Sequence, residues 1–173
     1  QYRLSGTATR DEMERLIEWL PATLPEQTRT SVVHGDYRID NMIWAKDRPQ
    51  VLAVLDWELS TLGDPLADFT YVAMAWVTEN GGRSGVMDLD RAALGIPELD
   101  EVVDRYCAAT GRDSVPDMNW YFAYNFFRLA GIMQGIKKRV IDGTASSAHA
   151  KAMSERVLPL AQKAWRFAQQ AGA

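Results

Sequence analysis

The chain has 173 residues, 47% of them hydrophobic, 24% charged and 10% aromatic, with a formal net charge of −4, a balance that excludes intrinsic disorder. With no run of five like charges, it also excludes a surface built mainly to neutralise nucleic-acid phosphates or anionic lipid, so no nucleic-acid partner is expected. The longest apolar stretches, residues 69–78 and 118–127, are about half of the roughly 20 residues that a membrane-spanning helix needs, so no membrane partner is expected either. The single cysteine, Cys107, cannot form an internal disulfide and sits in a helical apolar pattern, where an inert buried thiol is expected. With only His34 and His149 beside it, a Cys/His zinc site is not expected. The chain opens on Gln1 with no signal-peptide pattern, so it reads as a piece of something longer, in a cytoplasmic setting.

Residues 9–20 carry Met13, Leu16, Ile17 and Leu20 at helical spacing, with a Thr9/Glu12 capping box, and Pro21 and Pro25 are expected to break that helix. Residues 31–34, 41–45 and 51–55 are short Val/Ile/Leu-rich segments that read as strands, the last two joined by a turn at Lys46, Asp47, Arg48 and Pro49. Asp64 is a predicted N-cap with Pro65 at the first helical position, and the apolar run 69–77 suits a helix buried on most sides. Gly81, Gly82, Gly85 and Gly95 mark a flexible connection, after which Pro97 starts a helix that Gly111 ends. A long helix begins after Asp117 with Phe122, Phe126, Leu129, Met133, Ile136 and Val140 as its core stripe. A last helix is expected over 146–170, kinked at Pro159. The fold class that follows is α+β and mostly helical, a single domain over 1–173 with one small β-hairpin.

The informative stretch is 31–68, where polar residues cluster at the ends of short apolar strands, the places where a rigid scaffold presents functional groups. Asp36 and Asn41 are separated by four residues, and Asp56 follows the next apolar strand. Two carboxylates and a carboxamide on adjacent loops form a hard-oxygen set suited to Mg²⁺, whose shell water and phosphate would complete. Any one of these residues alone is more often a turn former than a ligand. Three motifs in conjunction are not.

His34-x-Asp36-x-x-x-x-Asn41 followed by Asp56 has the spacing of the catalytic loop and metal aspartate of eukaryotic-like kinases. With H-G-D, D-x-E and G-D-P-x-x-D, the chain resembles the aminoglycoside phosphotransferase and choline kinase branch, and most closely the phosphotransferase-like domains related to those fused to acyl-CoA dehydrogenases. The resemblance implies the C-terminal lobe of a protein-kinase-like fold whose hairpin carries the catalytic and metal loops. It implies transfer of the ATP γ-phosphoryl group to a hydroxyl of a small molecule, with Asp36 as catalytic base and Asn41 and Asp56 holding Mg²⁺ against the ATP phosphates. Glu58, on the same side of an extended strand as Asp56 by the period of two, could reach the metal through water or cap a loop. His34 is expected to brace the catalytic loop, and Asp68, one turn into the helix after Asp64, to tether it.

Tyr121, Asn125 and Arg128 fall at i, i+4 and i+7 on the penultimate helix, largely off its apolar stripe. Arg128 lies in an otherwise apolar run and needs an anionic partner, a structural carboxylate such as Asp68 or a group of the substrate. The structural pairing is favoured, and Arg128 and Tyr121 are kept beside it as the candidate substrate-binding residues. With Lys137, Lys138 and Arg139 nearby, an anionic acceptor is favoured over a polycationic aminoglycoside. Neither G-x-G-x-x-G nor G-x-x-x-x-G-K-[ST] occurs, so the N-terminal nucleotide-binding lobe is expected to be absent from this chain and to be its partner, and the fragment alone is expected to be inactive and prone to self-association. The rival functions are a non-catalytic kinase-like binding module and a Mg²⁺-dependent phosphohydrolase.

Overall fold

The computed structural model describes residues 2, 11–81, 85–145 and 149–173. These residues form seven α-helices and four short strands in the order α1 (Asp11–Ala22), β1 (Ser31–Val33), β2 (Met42–Trp44), β3 (Val51–Val54), β4 (Thr61–Gly63), α2 (Leu66–Ala73), α3 (Arg91–Leu94), α4 (Leu99–Thr110), α5 (Met118–Ile141), α6 (Ala150–Glu155) and α7 (Val157–Gln170). The class is α+β and mostly helical, as expected. Contacts divide the chain into two compact units, one of residues 1–26 with 119–173 and one of 27–118. Among the described residues no helix is long and apolar enough to cross a membrane.

The first unit is helical. Helix α1 buries Met13, Leu16 and Leu20 and packs on α7, which buries Val157, Leu160, Ala161, Ala164 and Ala168. Small alanines at helical spacing let the two backbones approach closely. Phe167 packs against Phe122 and Phe126 of α5 with centroids 5.1 and 5.7 Å away. Pro21 does not end α1 but lies inside its last turn, where its φ suits the helix and only one backbone bond is lost. The end is closed by Thr23, whose N–H and hydroxyl both donate to Trp19 O, at 3.1 and 2.9 Å. Thr9 of the expected capping box lies outside the described residues. The final helix is broken at Arg156 rather than kinked at Pro159, which instead occupies the first turn of α7. A proline ring clashes with the carbonyl four residues earlier, here that of Glu155, so the break must precede it. The expected start of that helix at 146 falls outside the described residues.

The second unit is mixed. Strands β2 and β3 form the expected antiparallel hairpin, Met42 opposite Val54 and Ile43 opposite Ala53, with an irregularity before Trp44 pairs with Val51. Strand β1 pairs antiparallel with β4, Val32 opposite Leu62. The strand β4 and the short helix α3 have no counterpart in the sequence reading. Asp64 caps α2 through its side chain, Oδ1 accepting the Leu66 N–H at 3.0 Å. The apolar run 69–77 is not one helix buried on most sides: α2 ends at Ala73, a 3-10 segment covers Met74–Val77, and of its apolar side chains only Ala73 and Met74 are buried. Helix α4 ends on Gly111 with φ 62°, the left-handed cap that glycine favours. Cys107 is buried within it. Tyr106 stacks on Phe69 at 4.0 Å, and burial pushes its phenol pKa above the usual 10.0, against the pull of nearby Arg112.

Candidate active site

The site begins where β1 ends. Val33 and His34 are buried, and at Gly35 the chain turns with φ 83°. A Cβ there would come within 2.7 Å of Leu59 O, so the position excludes every side chain on two counts. Both donors of this turn are taken by one carboxylate from the first turn of α2: His34 N–H donates to Asp68 Oδ2 at 2.5 Å and Gly35 N–H to Asp68 Oδ1 at 3.0 Å. The buried His34 ring joins two loops. Its Nε2–H donates to Leu55 O at 2.7 Å, so Nδ1 is the acceptor for the Asp36 N–H at 3.2 Å.

Asp36 and Asn41 are brought into direct contact. Asn41 closes a 3-10 turn, Ile39–Asn41, its N–H donating to Arg38 O at 3.0 Å. Its Nδ2 donates to Asp36 O at 2.9 Å and to Asp36 Oδ2 at 3.0 Å. Two acceptors on one side orient the carboxamide, and among the described residues nothing donates to its Oδ1. The metal-loop candidate is tied in through the backbone: Leu55 N–H donates to Asn41 O at 2.8 Å, and Asp56 follows with φ 68° and ψ 52°. Its side chain is exposed.

Glu58 does not share a strand face with Asp56. Asp56 is left-handed and Trp57–Leu59 is a 3-10 turn, so the period-two argument fails for want of extended backbone. Among the described residues no three His, Cys, Asp or Glu side chains are grouped to hold a metal ion by themselves. Tyr121 and Arg128 belong to the other unit. Tyr121 and Asn125 are buried rather than on an open face, Tyr121 with its ring edge-on to Trp120 at 5.3 Å, and Arg128 is half-buried. Lys138 is engaged with Asp142 at 2.6 Å. Gly35 and Trp57 are contributors that the motif reading passed over. The glycine inside H-G-D was the available signal for the first.

A short hairpin and a cross-paired strand that present two polar loops beside a helix, within a mostly helical chain, are the arrangement of a kinase-like phosphotransferase. The chain belongs to the phosphotransferase enzyme family, whose model matches residues 1–114. It is 48% identical to a chain described as a "putative aminoglycoside phosphotransferase" from Ralstonia eutropha JMP134, whose crystal structure superposes with a TM-score of 0.92 over 98% of this chain and 52% of that one. It is 45% identical over 174 residues to acyl-CoA dehydrogenase family member 10 of Mus musculus, covering 99% of this chain and 16% of that protein. Over 164 residues it is 33% identical to acyl-CoA dehydrogenase family member 11 of Homo sapiens, covering 94% of this chain and 21% of the relative. The chain thus spans about half of the solved relative and a smaller part of the curated ones.

Proposed function

We propose that this chain is the catalytic part of an ATP-dependent kinase that transfers the γ-phosphoryl group to a hydroxyl of a small molecule, with Asp36 as the base. The observation that carries the reading is the Asn41 carboxamide, locked on Asp36 by two hydrogen bonds while its own oxygen is left over. Phosphoryl transfer asks little covalent work of a protein and much positioning and charge neutralisation. Asp36 orients the acceptor hydroxyl and takes its proton as the oxygen bonds to the γ-phosphorus and ADP leaves. The Asn41 Nδ2 donor keeps one Asp36 oxygen fixed and leaves the other for that proton.

Asn41 Oδ1 and the exposed Asp56 carboxylate are hard oxygen donors, neither with a partner among the described residues, which suits Mg²⁺ completed by water and phosphate. Bound there, Mg²⁺ supplies charge neutralisation at the phosphate oxygens. Glu58 is left a role through water at most. The sequence favours an anionic acceptor over an aminoglycoside through Arg128, Lys137, Lys138 and Arg139, but these lie on α5 in the other unit and Lys138 is already paired with Asp142, so the acceptor's charge is left to the screen below. Because no G-x-G-x-x-G loop occurs in the sequence, turnover is assigned to the longer protein carrying this chain, not to the 173 residues alone.

The test is a screen of hydroxylated metabolites for ATP consumption by that longer protein, repeated with Asp36→Asn. The variant is expected to lose roughly 10²- to 10⁴-fold in kcat with the ATP KM nearly unchanged. Near-parental turnover would remove Asp36 from its role.

A further inference from the structure

Asp56 and Asp117 are the two described non-glycine residues with positive φ, and only Asp56 lies in the site. An aspartate tolerates the left-handed region when its own side chain bonds the local backbone. Asp56 has no such help, since among the described residues nothing bonds its carboxylate and its turn has no side-chain cap. The conformation must therefore be held from its flanks. On one side, Leu55 is bonded through both its N–H and its carbonyl, to Asn41 O and from the His34 ring. On the other, the Trp57 indole Nε1–H reaches back three residues to donate to Val54 O at 2.8 Å, closing a loop that contains Leu55 and Asp56. Its ring leans on the His34 ring at 4.7 Å. Trp57 is 48% exposed, so apolar burial is not what places it there.

We propose that Trp57 is a positioning residue for Asp56, its indole N–H clamping the end of β3 so that the left-handed turn presents the carboxylate already arranged for the metal. This rests on the reading of Asp56 as a Mg²⁺ ligand. A preorganised ligand binds more tightly because the ordering is done before binding. Trp57→Phe keeps a ring against His34 and deletes only the donor. Replacement by benzothienylalanine keeps the whole bicyclic outline and deletes the same N–H, so it remains informative should the phenylalanine variant fold poorly.

In the longer protein carrying this chain, both replacements are expected to raise roughly 3- to 10-fold, the worth of one neutral hydrogen bond, the Mg²⁺ concentration that half-saturates ATP binding in titration calorimetry, and with it that for half-maximal ATP consumption. The kcat at saturating Mg²⁺ and the melting temperature should stay near parental. An unchanged Mg²⁺ half-saturation in the benzothienylalanine protein overturns the clamp, and so does a fall in melting temperature with half-saturation unmoved, because that is the behaviour of a merely structural bond. Asp56→Asn is run alongside. If it leaves Mg²⁺ dependence parental, the ligand assignment fails. If it abolishes that dependence while the indole replacements do nothing, the assignment stands and the clamp alone is refuted.

Discussion

Removing the Asp68 carboxylate should release the turn that carries Asp36. Asp68 accepts two backbone N–H groups, from His34 and Gly35, and among the described residues it has no other partner, so Asp68→Ala reports on this tether alone. Hydrogen bonds to a charged acceptor contribute about 1.5 to 3 kcal/mol each. Losing both leaves two part-buried donors that water can only partly satisfy, an expected destabilisation of about 3 to 5 kcal/mol. For a chain of this size each kcal/mol lowers Tm by roughly 2 to 4 °C, so a fall of roughly 6 to 20 °C is expected. Asp68→Asn keeps one acceptor oxygen and sets its NH₂ against the other donor, so its loss should be about half as large. The assay is thermal unfolding of the 173-residue chain followed by circular dichroism and calorimetry. An Asp68→Ala melt within about 2 °C of parental would show that the turn holds itself and that the two bonds contribute nothing net.

Asp56→Ala should weaken Mg·ATP binding by the longer protein far more than Glu58→Ala, because Glu58 sits in the 3-10 turn beyond the left-handed residue; equal losses by titration calorimetry would contradict that order. Arg128→Met keeps much of the apolar stem and deletes the charge, and it is expected to lower Tm; an unchanged melt with a raised acceptor KM would assign Arg128 to the substrate instead. Ile43, Trp44 and Val51 are 45%, 46% and 38% exposed on the hairpin, so the isolated chain should self-associate, and Ile43→Lys with Trp44→Lys should abolish it; purely monomeric sedimentation of the parental chain at micromolar concentration would rule this out. Burial raises the folded-state pKa of Tyr106 and so favours the neutral phenol. Its contribution is complete below the unfolded value near 10.0 and is lost as pH rises through the folded one; Tyr106→Phe should therefore lose less stability over that alkaline range, and identical alkaline melts would refute the assignment.

What the sequence determined by itself was local. The spacing of Asp36 and Asn41, the turn at 46–49, the Asp64 cap and the glycine end of α4 are each decided by residues within one turn or one hairpin, where propensity and capping chemistry act directly. Tertiary structure decided whatever depends on a distant partner. Thr61–Gly63 is a strand because Ser31–Val33 lies beside it, and the run 69–77 leaves the α-helix at Met74 although its composition is uniform. Asp56 is left-handed, and Glu58 shares no strand face with it, because His34, more than twenty residues earlier, takes the Leu55 carbonyl while Trp57 takes that of Val54. Periodicity reports which face a residue shares with its neighbours, whereas the backbone conformation at a loop is set by whichever distant donors claim its carbonyls, and a linear pattern carries no record of them.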